Sequence, residues 1–222
     1  IKVKNVAAYS TSSVAQFTLA YILHFIQKIN FYDNYVKTGG WGDSAIFTNH
    51  DKPFYELQGK TVGIIGLGDI GKEVAKIVTA FGCKVIYYST SGKNTDSLYE
   101  SVSLEYLLKN SHIITIHCPL NKQTNNLLNA RNLNSIQDGA ILLNLSRGGI
   151  VNEQDIASIL NAGKDMYFAT DVTTSEPIVK DSALLKIQDE SRIIITPHIA
   201  WASIEARIRL MDLVFKNIQE NI

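Results

Sequence analysis

The chain is short of cysteine, of net charge and of long apolar runs, and each shortage excludes something. It has two cysteines in 222 residues. Cys83 and Cys118 lie within or beside apolar strands and form no CxxC pair, so they read as buried free thiols in a reducing compartment, the cytoplasm. No metal site is expected. Lys and Arg number 21 and so do Asp and Glu, giving a formal charge of zero. With no basic stripe, neither nucleic acid nor an anionic membrane is the expected partner. The apolar stretch from Val14 to Ile26 is too short to span a bilayer and contains Gln16 and His24. No secretory leader, internal repeat or low-complexity segment is visible. The opening IKVKNV reads as a strand entering a turn. It starts at Ile1 rather than Met, and the close at Asn217 to Ile222 follows a helical pattern without a glycine cap. Both ends therefore read as cuts in a longer protein.

What is present is an ordinary globular core, with 45% apolar residues. Its most informative stretch is KTVGIIGLGDIGKEVAKIVTAFGCKVIYY, from Lys60 to Tyr88. Thr61 to Ile65 is a β-branched apolar run. Gly66-x-Gly68-x-x-Gly71 follows directly. A helical pattern then runs through Val74, Ala75, Ile77 and Val78 to Gly82, and Lys84 to Tyr88 is a second strand. Strand, glycine turn, helix and strand together make a dinucleotide fingerprint. Gly66 permits the tight turn, Gly68 lets backbone amides approach a pyrophosphate, and Gly71 allows close helix–strand packing. The helix start at Asp69 and Ile70 presents free N–H groups to the anion.

The rest of the chain alternates in the same way. A helix is expected from about Val14 to Ile29, opened by the capping-box pattern Ser13-x-x-Gln16. Tyr32 to Asp51 is aromatic and glycine-rich without a clear period, and Ser89 to Asp96 is irregular and polar. Further strands are expected at Ile113–His117, Ala140–Leu145, Tyr167–Thr170 and Arg192–Ile195. Helices are expected at Leu104–Lys109, Asn129–Ser135, Glu153–Ala162 and from Ser203 onward. The strands are continuously apolar, so both faces are covered. Six strands alternating with helices predict an α/β, doubly wound parallel sheet of the Rossmann dinucleotide-binding type.

In such sheets ligands bind beyond the carboxyl ends of the strands. His117 closes one strand, and Cys118 and Pro119 follow it. Arg147 follows another strand, Asp171 caps a third, and His198 comes three residues after the last. Glu176 lies in the loop after Asp171. Each residue alone has an ordinary structural explanation. Together they make an Arg/Glu/His set suited to hydride transfer. Histidine titrates near neutral pH and can exchange a proton in both directions. A carboxylate partner orients it and supports its charged form. Arginine offers a planar fork for a carboxylate and carbonyl.

NLSRGGIVNE (Asn144 to Glu153), ATDVTTSEP (Ala169 to Pro177) and TPHIAWAS (Thr196 to Ser203) resemble the motifs of the D-isomer-specific 2-hydroxyacid dehydrogenases. The resemblance covers essentially the whole chain. It implies a small 2-hydroxy or 2-keto acid substrate held by Arg147, His198 as acid/base paired with Glu176, and Asp171 beside the nicotinamide carboxamide. Trp201-Ala202-Ser203 and the stretch from Tyr88 to Lys93 are similar to the glycerate dehydrogenase and hydroxypyruvate reductase branch. A dinucleotide-sensing interaction protein of the same fold remains an alternative, and the Arg/Glu/His set argues against another Rossmann enzyme such as a methyltransferase. The resemblance also implies that residues 1–222 are the dinucleotide-binding domain. Hinge segments near 5–12 and 200–206 would lead to a substrate domain that is absent, so this piece alone should turn over poorly.

Ser89 departs from the family. It stands about 18 residues after Gly71, where an aspartate commonly accepts from the adenosine ribose. Without that carboxylate a 2′-phosphate is no longer repelled, and Ser89, Thr90, Ser91 and Lys93 can bind it. NADP is therefore favoured over NAD. Finally, the helix from Val14 is apolar around much of its circumference, and Phe31, Tyr32, Tyr35, Trp41, Phe47, Phe54 and Tyr55 follow with little local structure to bury them. That patch predicts a homodimer through residues 14–55.

Overall fold

The computed structural model describes residues 3–93 and 96–220. Seven strands form one sheet: β1 (Thr61–Ile65), β2 (Lys84–Tyr88), β3 (Glu100–Ser101), β4 (Ile113–Ile116), β5 (Ala140–Asn144), β6 (Met166–Thr170) and β7 (Ile193–Ile195). Their order is β3-β2-β1-β4-β5-β6-β7, and every pair is parallel. The chain starts in the middle, winds to one edge, then crosses back past β1 to build the other half. This is the doubly wound sheet expected from the alternation of elements. The reversal between β1 and β4 opens a crevice at the carboxyl ends. The register makes those ends level. Tyr88 pairs with Ile65, Ile65 with Ile116, Ile116 with Asn144, Asn144 with Thr170, and Thr170 with Ile195. Six loops thus leave the sheet side by side along one rim.

Helices cover both faces. They are α1 (Thr11–Gln27), α2 (Ile29–Lys37), α3 (Asp69–Ala80), α4 (Leu104–Asn110), α5 (Glu153–Asn161) and α6 (Ile204–Gln219). Successive strand residues point to opposite faces, so each strand feeds two cores. Ile64 and Leu143 pack with Ile22 and Phe25 of α1 and Val74 and Val78 of α3. Ile65, Leu142 and Phe168 pack on the other face with Leu107 of α4 and Ile156 of α5. All but Phe25, Val74, Val78 and Phe168 of these are fully sealed from solvent, and those four nearly so. Each such side chain contributes roughly 1.5–3 kcal/mol of burial free energy.

The structure differs from the sequence expectations at several points. A seventh strand, β3, has only two residues and too little pattern to be read. The first helix begins at Thr11 and stops at Gln27, because Lys28 adopts a left-handed backbone with φ 54°. A second helix, α2, then occupies the start of a stretch read as irregular. Ser13 lies inside α1 and forms no cap; its hydroxyl donates instead to the Ala200 carbonyl at 2.6 Å. Of Asn129–Ser135 only Leu133–Ser135 is helical, as a single 3-10 turn. Val3–Ala7 forms no strand, while Ile1 and Lys2 lie outside the described residues. The last helix ends at Gln219 with Glu220 after it, and Asn221 and Ile222 are likewise outside. No helix among the described residues is long and apolar enough to cross a membrane. Both cysteines are buried free thiols.

Candidate active site

The fingerprint glycines stand at the centre of the rim. Gly66 ends β1 with φ 95°, and a Cβ there would lie 2.6 Å from the Cys118 amide nitrogen. Only glycine fits that turn and that approach. Gly71, in the first turn of α3, is similarly tight, with the Gly66 carbonyl 2.4 Å from where a Cβ would be. Gly68 is the opposite case, since nothing lies within 4 Å of a Cβ built there. It precedes α3, whose start at Asp69, Ile70 and Gly71 has no side-chain cap. Open space against an uncapped helix start fits a pyrophosphate, which would accept from those N–H groups. Ser89 and Thr90 leave β2 half-buried, and Ser91 and Lys93 are exposed. Among the described residues of this loop the nearest carboxylate in sequence is Asp96. It is tied back by Lys72 of α3 at 3.4 Å and by its own N–H to the Tyr87 hydroxyl at 3.1 Å.

The loops after β4, β5, β6 and β7 are bonded to one another. After β4, Cys118 is sealed behind Gly66, and burial pushes its thiol up to about 11; Pro119 is exposed. The Ser146 hydroxyl donates to the Cys118 carbonyl. Asn144, buried at the end of β5, folds the next turn: its side-chain N–H donates to the Arg147 carbonyl at 2.9 Å and its Oδ1 accepts from Ser146 at 3.2 Å. That turn leaves the Arg147 side chain exposed. The following Gly148 lies flat on the next loop, with the Thr173 carbonyl carbon 2.0 Å from where a Cβ would be.

Asp171 follows β6 and is 2% exposed. Its carboxylate accepts from the Thr196 hydroxyl, from Ile199 N–H at 2.9 Å and from Ala200 N–H at 2.8 Å. The His198 N–H donates to the Asp171 carbonyl at 2.8 Å, and His198 itself is left-handed with φ 55°. A non-glycine residue in that region is held there by its surroundings, and such positions cluster at functional sites. Tyr21 of α1 donates to the Thr196 hydroxyl at 2.5 Å, and burial raises its own pKa far above the usual tyrosine range.

Glu176 and His198, the pair that the family resemblance implies, are in hydrogen-bond contact. Their Oε2 and Nδ1 atoms are 2.7 Å apart, and the other Glu176 oxygen accepts from Thr173 N–H at 3.1 Å. Partial burial works to raise the Glu176 pKa. The bonds from His198 and Thr173 and the charges of His198 and Arg147 outweigh it and hold the carboxyl below its ordinary value. The loop is braced from α5 by Glu153, which accepts from Thr174 N–H at 2.5 Å. Among the described residues His198 Nε2 has no hydrogen bond, so this nitrogen is available to a ligand. A cavity of about 540 Å³ adjoins the pair, walled by Pro177, Ile178, Leu185 and Ile195. Asn144, Glu153, Thr196 and Tyr21 were assigned no role from sequence. A polar residue ending an apolar strand, as Asn144 does, was the one available signal.

With this geometry in place, comparison with known proteins gives the family. The NAD-binding-domain model of the D-isomer specific 2-hydroxyacid dehydrogenases matches residues 19–200. A hydroxypyruvate reductase from Blautia hydrogenotrophica is 39% identical over 99% of this chain and 68% of its own length. A D-lactate dehydrogenase from Aquifex aeolicus, solved with NAD and lactic acid, superposes with a TM-score of 0.86 at 28% identity, over 96% of this chain and 67% of its own. An acyclic imino acid reductase solved with NADPH and D-Arg gives 0.82 at 32% identity, over 96% and 66%. The chain belongs to the D-isomer specific 2-hydroxyacid dehydrogenase family and is the dinucleotide-binding part of an NAD(P)-dependent oxidoreductase. It spans about two thirds of the length of the relatives it matches.

His117 yields a test of the rim itself. Its Nε2 bonds the Thr115 hydroxyl at 2.8 Å, while its Nδ1 is sealed without a partner among the described residues. Part of the residue reaches solvent, but Nδ1 does not, and burial pushes the pKa from 6.5 down to about 3. Between those values the unfolded chain binds a proton that the folded chain refuses. The stability due to neutral His117 is thus complete above pH 6.5 and is lost as pH falls through this window. Urea unfolding between pH 7 and pH 5 should show wild type losing up to about 1.4 kcal/mol per pH unit below 6.5, and His117→Gln losing distinctly less. Identical slopes in the two proteins would show that His117 is protonated in the fold.

Proposed function

We propose that the intact enzyme transfers hydride between a nicotinamide cofactor and a small D-2-hydroxy acid or its 2-keto acid, of the glycerate/hydroxypyruvate or glyoxylate kind. The observation that carries this reading is the 2.7 Å Glu176–His198 pair at the carboxyl rim, on the same side as the Arg147 turn and the fingerprint glycines. When bound, the reduced cofactor supplies the hydride. His198 gives the carbonyl oxygen its proton from Nε2 and takes one from the hydroxyl in the reverse direction. Glu176 holds Nδ1, which fixes the ring and leaves Nε2 as the exchanging nitrogen. Arg147 binds the substrate carboxylate and carbonyl through its fork. Gly66, Gly68, Asp69, Ile70 and Gly71 cradle the pyrophosphate, with Cys118 and Pro119 lining the crevice opposite. Asp171 Oδ1 already accepts two bonds and Oδ2 one. One acceptor position on Oδ2 is left for the carboxamide N–H. Hinges near residues 5–12 and 200–206 carry the rest of the chain, whose closure over this rim excludes water. Two buried free thiols suit a cytoplasmic setting.

In the intact enzyme His198→Ala should lower kcat with hydroxypyruvate or glyoxylate by a factor on the order of 10² to 10⁴, with cofactor affinity nearly unchanged. Glu176→Gln should shift the pH profile of kcat/KM, because a neutral amide no longer supports protonated histidine. Arg147→Lys should act mainly on KM. An undiminished rate in His198→Ala would require another proton donor. No turnover of either keto acid by wild type would leave the dinucleotide-sensing alternative standing.

The cofactor reading is NADP, supported by Ser89 in place of a carboxylate and by Thr90, Ser91 and Lys93 in the same loop. Titration of each reduced nucleotide, followed by nicotinamide fluorescence, should find NADPH the tighter ligand. Tenfold tighter binding of NADH, about 1.4 kcal/mol, would reverse the assignment.

The partner reading is a two-fold dimer through residues 14–55. Trp41, Phe47, Phe54 and Tyr55 are each at least half exposed, and Phe47 almost fully so. Light scattering at micromolar concentration should give a dimer mass, reduced to a monomer by Phe31→Glu with Trp41→Glu. A monomeric wild type would remove the dimer.

A further inference from the structure

The opposite end of the sheet carries a second cavity, of about 350 Å³, within the range of small-ligand sites. It sits at the elbow between α1 and α2, against Gly139, Asp165 and Ser191 at the amino ends of β5, β6 and β7. Phe25, Phe31, Tyr55 and Tyr167 wall it, together with Lys28 and Lys52. Three ammonium groups stand over aromatic rings here. Lys28 Nζ is 4.3 Å from the centre of Tyr167, Lys52 Nζ 5.7 Å from Phe31, and Lys60 Nζ 5.4 Å from Tyr55. Lys28 also donates to the Tyr167 hydroxyl at 3.2 Å.

The charge in this cavity is unbalanced. Among the described residues none of the three lysines forms an ion pair. The one carboxylate in the wall, Asp165, is answered by Arg192 at 3.3 Å. Lys28 is half-buried, with only a phenol oxygen and a ring face to offset the loss of water. Rings recover part of that cost, and an anion recovers more. The positive field is felt locally: the His24 pKa is pushed down by burial and then by Lys28.

We propose that this cavity binds a planar aryl carboxylate, its ring slotted among the Phe and Tyr faces and its carboxylate between Lys28 and Lys52. The site is separate from the hydride chemistry at the other rim. Its rival occupant is a side chain of a second copy, because the 14–55 segment runs along it.

The probe is 2-naphthoate, titrated by its own fluorescence into the intact, cofactor-saturated protein. Saturable binding is expected. It should weaken at least tenfold in Lys28→Gln and be retained in Arg147→Ala, which separates it from the substrate site. Neutral 2-naphthamide and non-aromatic cyclohexanecarboxylate, competed against the probe, should each bind at least tenfold more weakly. Should Lys28→Gln disturb the elbow, Lys52→Gln makes the same test at an exposed residue. Equal affinity in both lysine variants, loss of binding in Arg147→Ala, or no binding to wild type would each overturn the proposal, the last assigning the cavity to a partner's side chain.

Discussion

A single buried carboxylate organises the rim. Asp171 is almost wholly removed from water and has no cation beside it among its bonded partners; hydroxyl and amide donors alone satisfy it. A carboxylate buried without such donors would cost several kcal/mol. The chain must therefore bring Thr196, Ile199 and Ala200 to it together, and those residues bracket His198. Folding the segment around Asp171 leaves His198 in a left-handed backbone, an arrangement the local sequence would not choose. His198 is thus positioned by an acid at the end of the preceding strand, β6.

The same logic spreads outward. Tyr21 and Ser13 of α1 bond Thr196 and the Ala200 carbonyl, across 175 and 187 residues of sequence. Glu153 of α5 bonds the Thr174 amide from the other side. Helices on both faces of the sheet therefore hold the loops that carry Glu176 and His198. The 2.7 Å pair between them is an outcome of packing as much as of mutual attraction, which for half-exposed groups is modest.

These relations explain what the sequence revealed. The strand–glycine–helix unit was legible because its signal is local: a β-branched run, three spaced glycines and a helical period fall within one short window. Arg147, Glu176 and His198 were legible as polar residues placed after strand ends, and the register sets those ends level along one rim. Glu153, Thr196 and Tyr21 were not legible, because their partners lie on other elements; Asn144, which folds its own turn, showed only as a polar end to an apolar strand. Ser13-x-x-Gln16 had the pattern of a cap, yet the hydroxyl found a distant carbonyl. The break at Lys28 was hidden because apolar periodicity continues across it, and a left-handed lysine has no local sequence cue. The two-residue β3 is below the length at which any period can show.

Gly148 has a consequence for variation. It brings the Arg147 turn and the Thr173 loop into backbone-to-backbone contact, with no room for a Cβ. The separation between those two loops is set by main-chain radii rather than by any exchangeable side chain. Point substitutions can change which groups line this part of the rim, but not how far apart they stand. A protein engineer seeking to widen the crevice for a bulkier ligand would have to alter loop lengths or work from the opposite wall. The distance across these two loops behaves as a fixed gauge against which everything else is fitted.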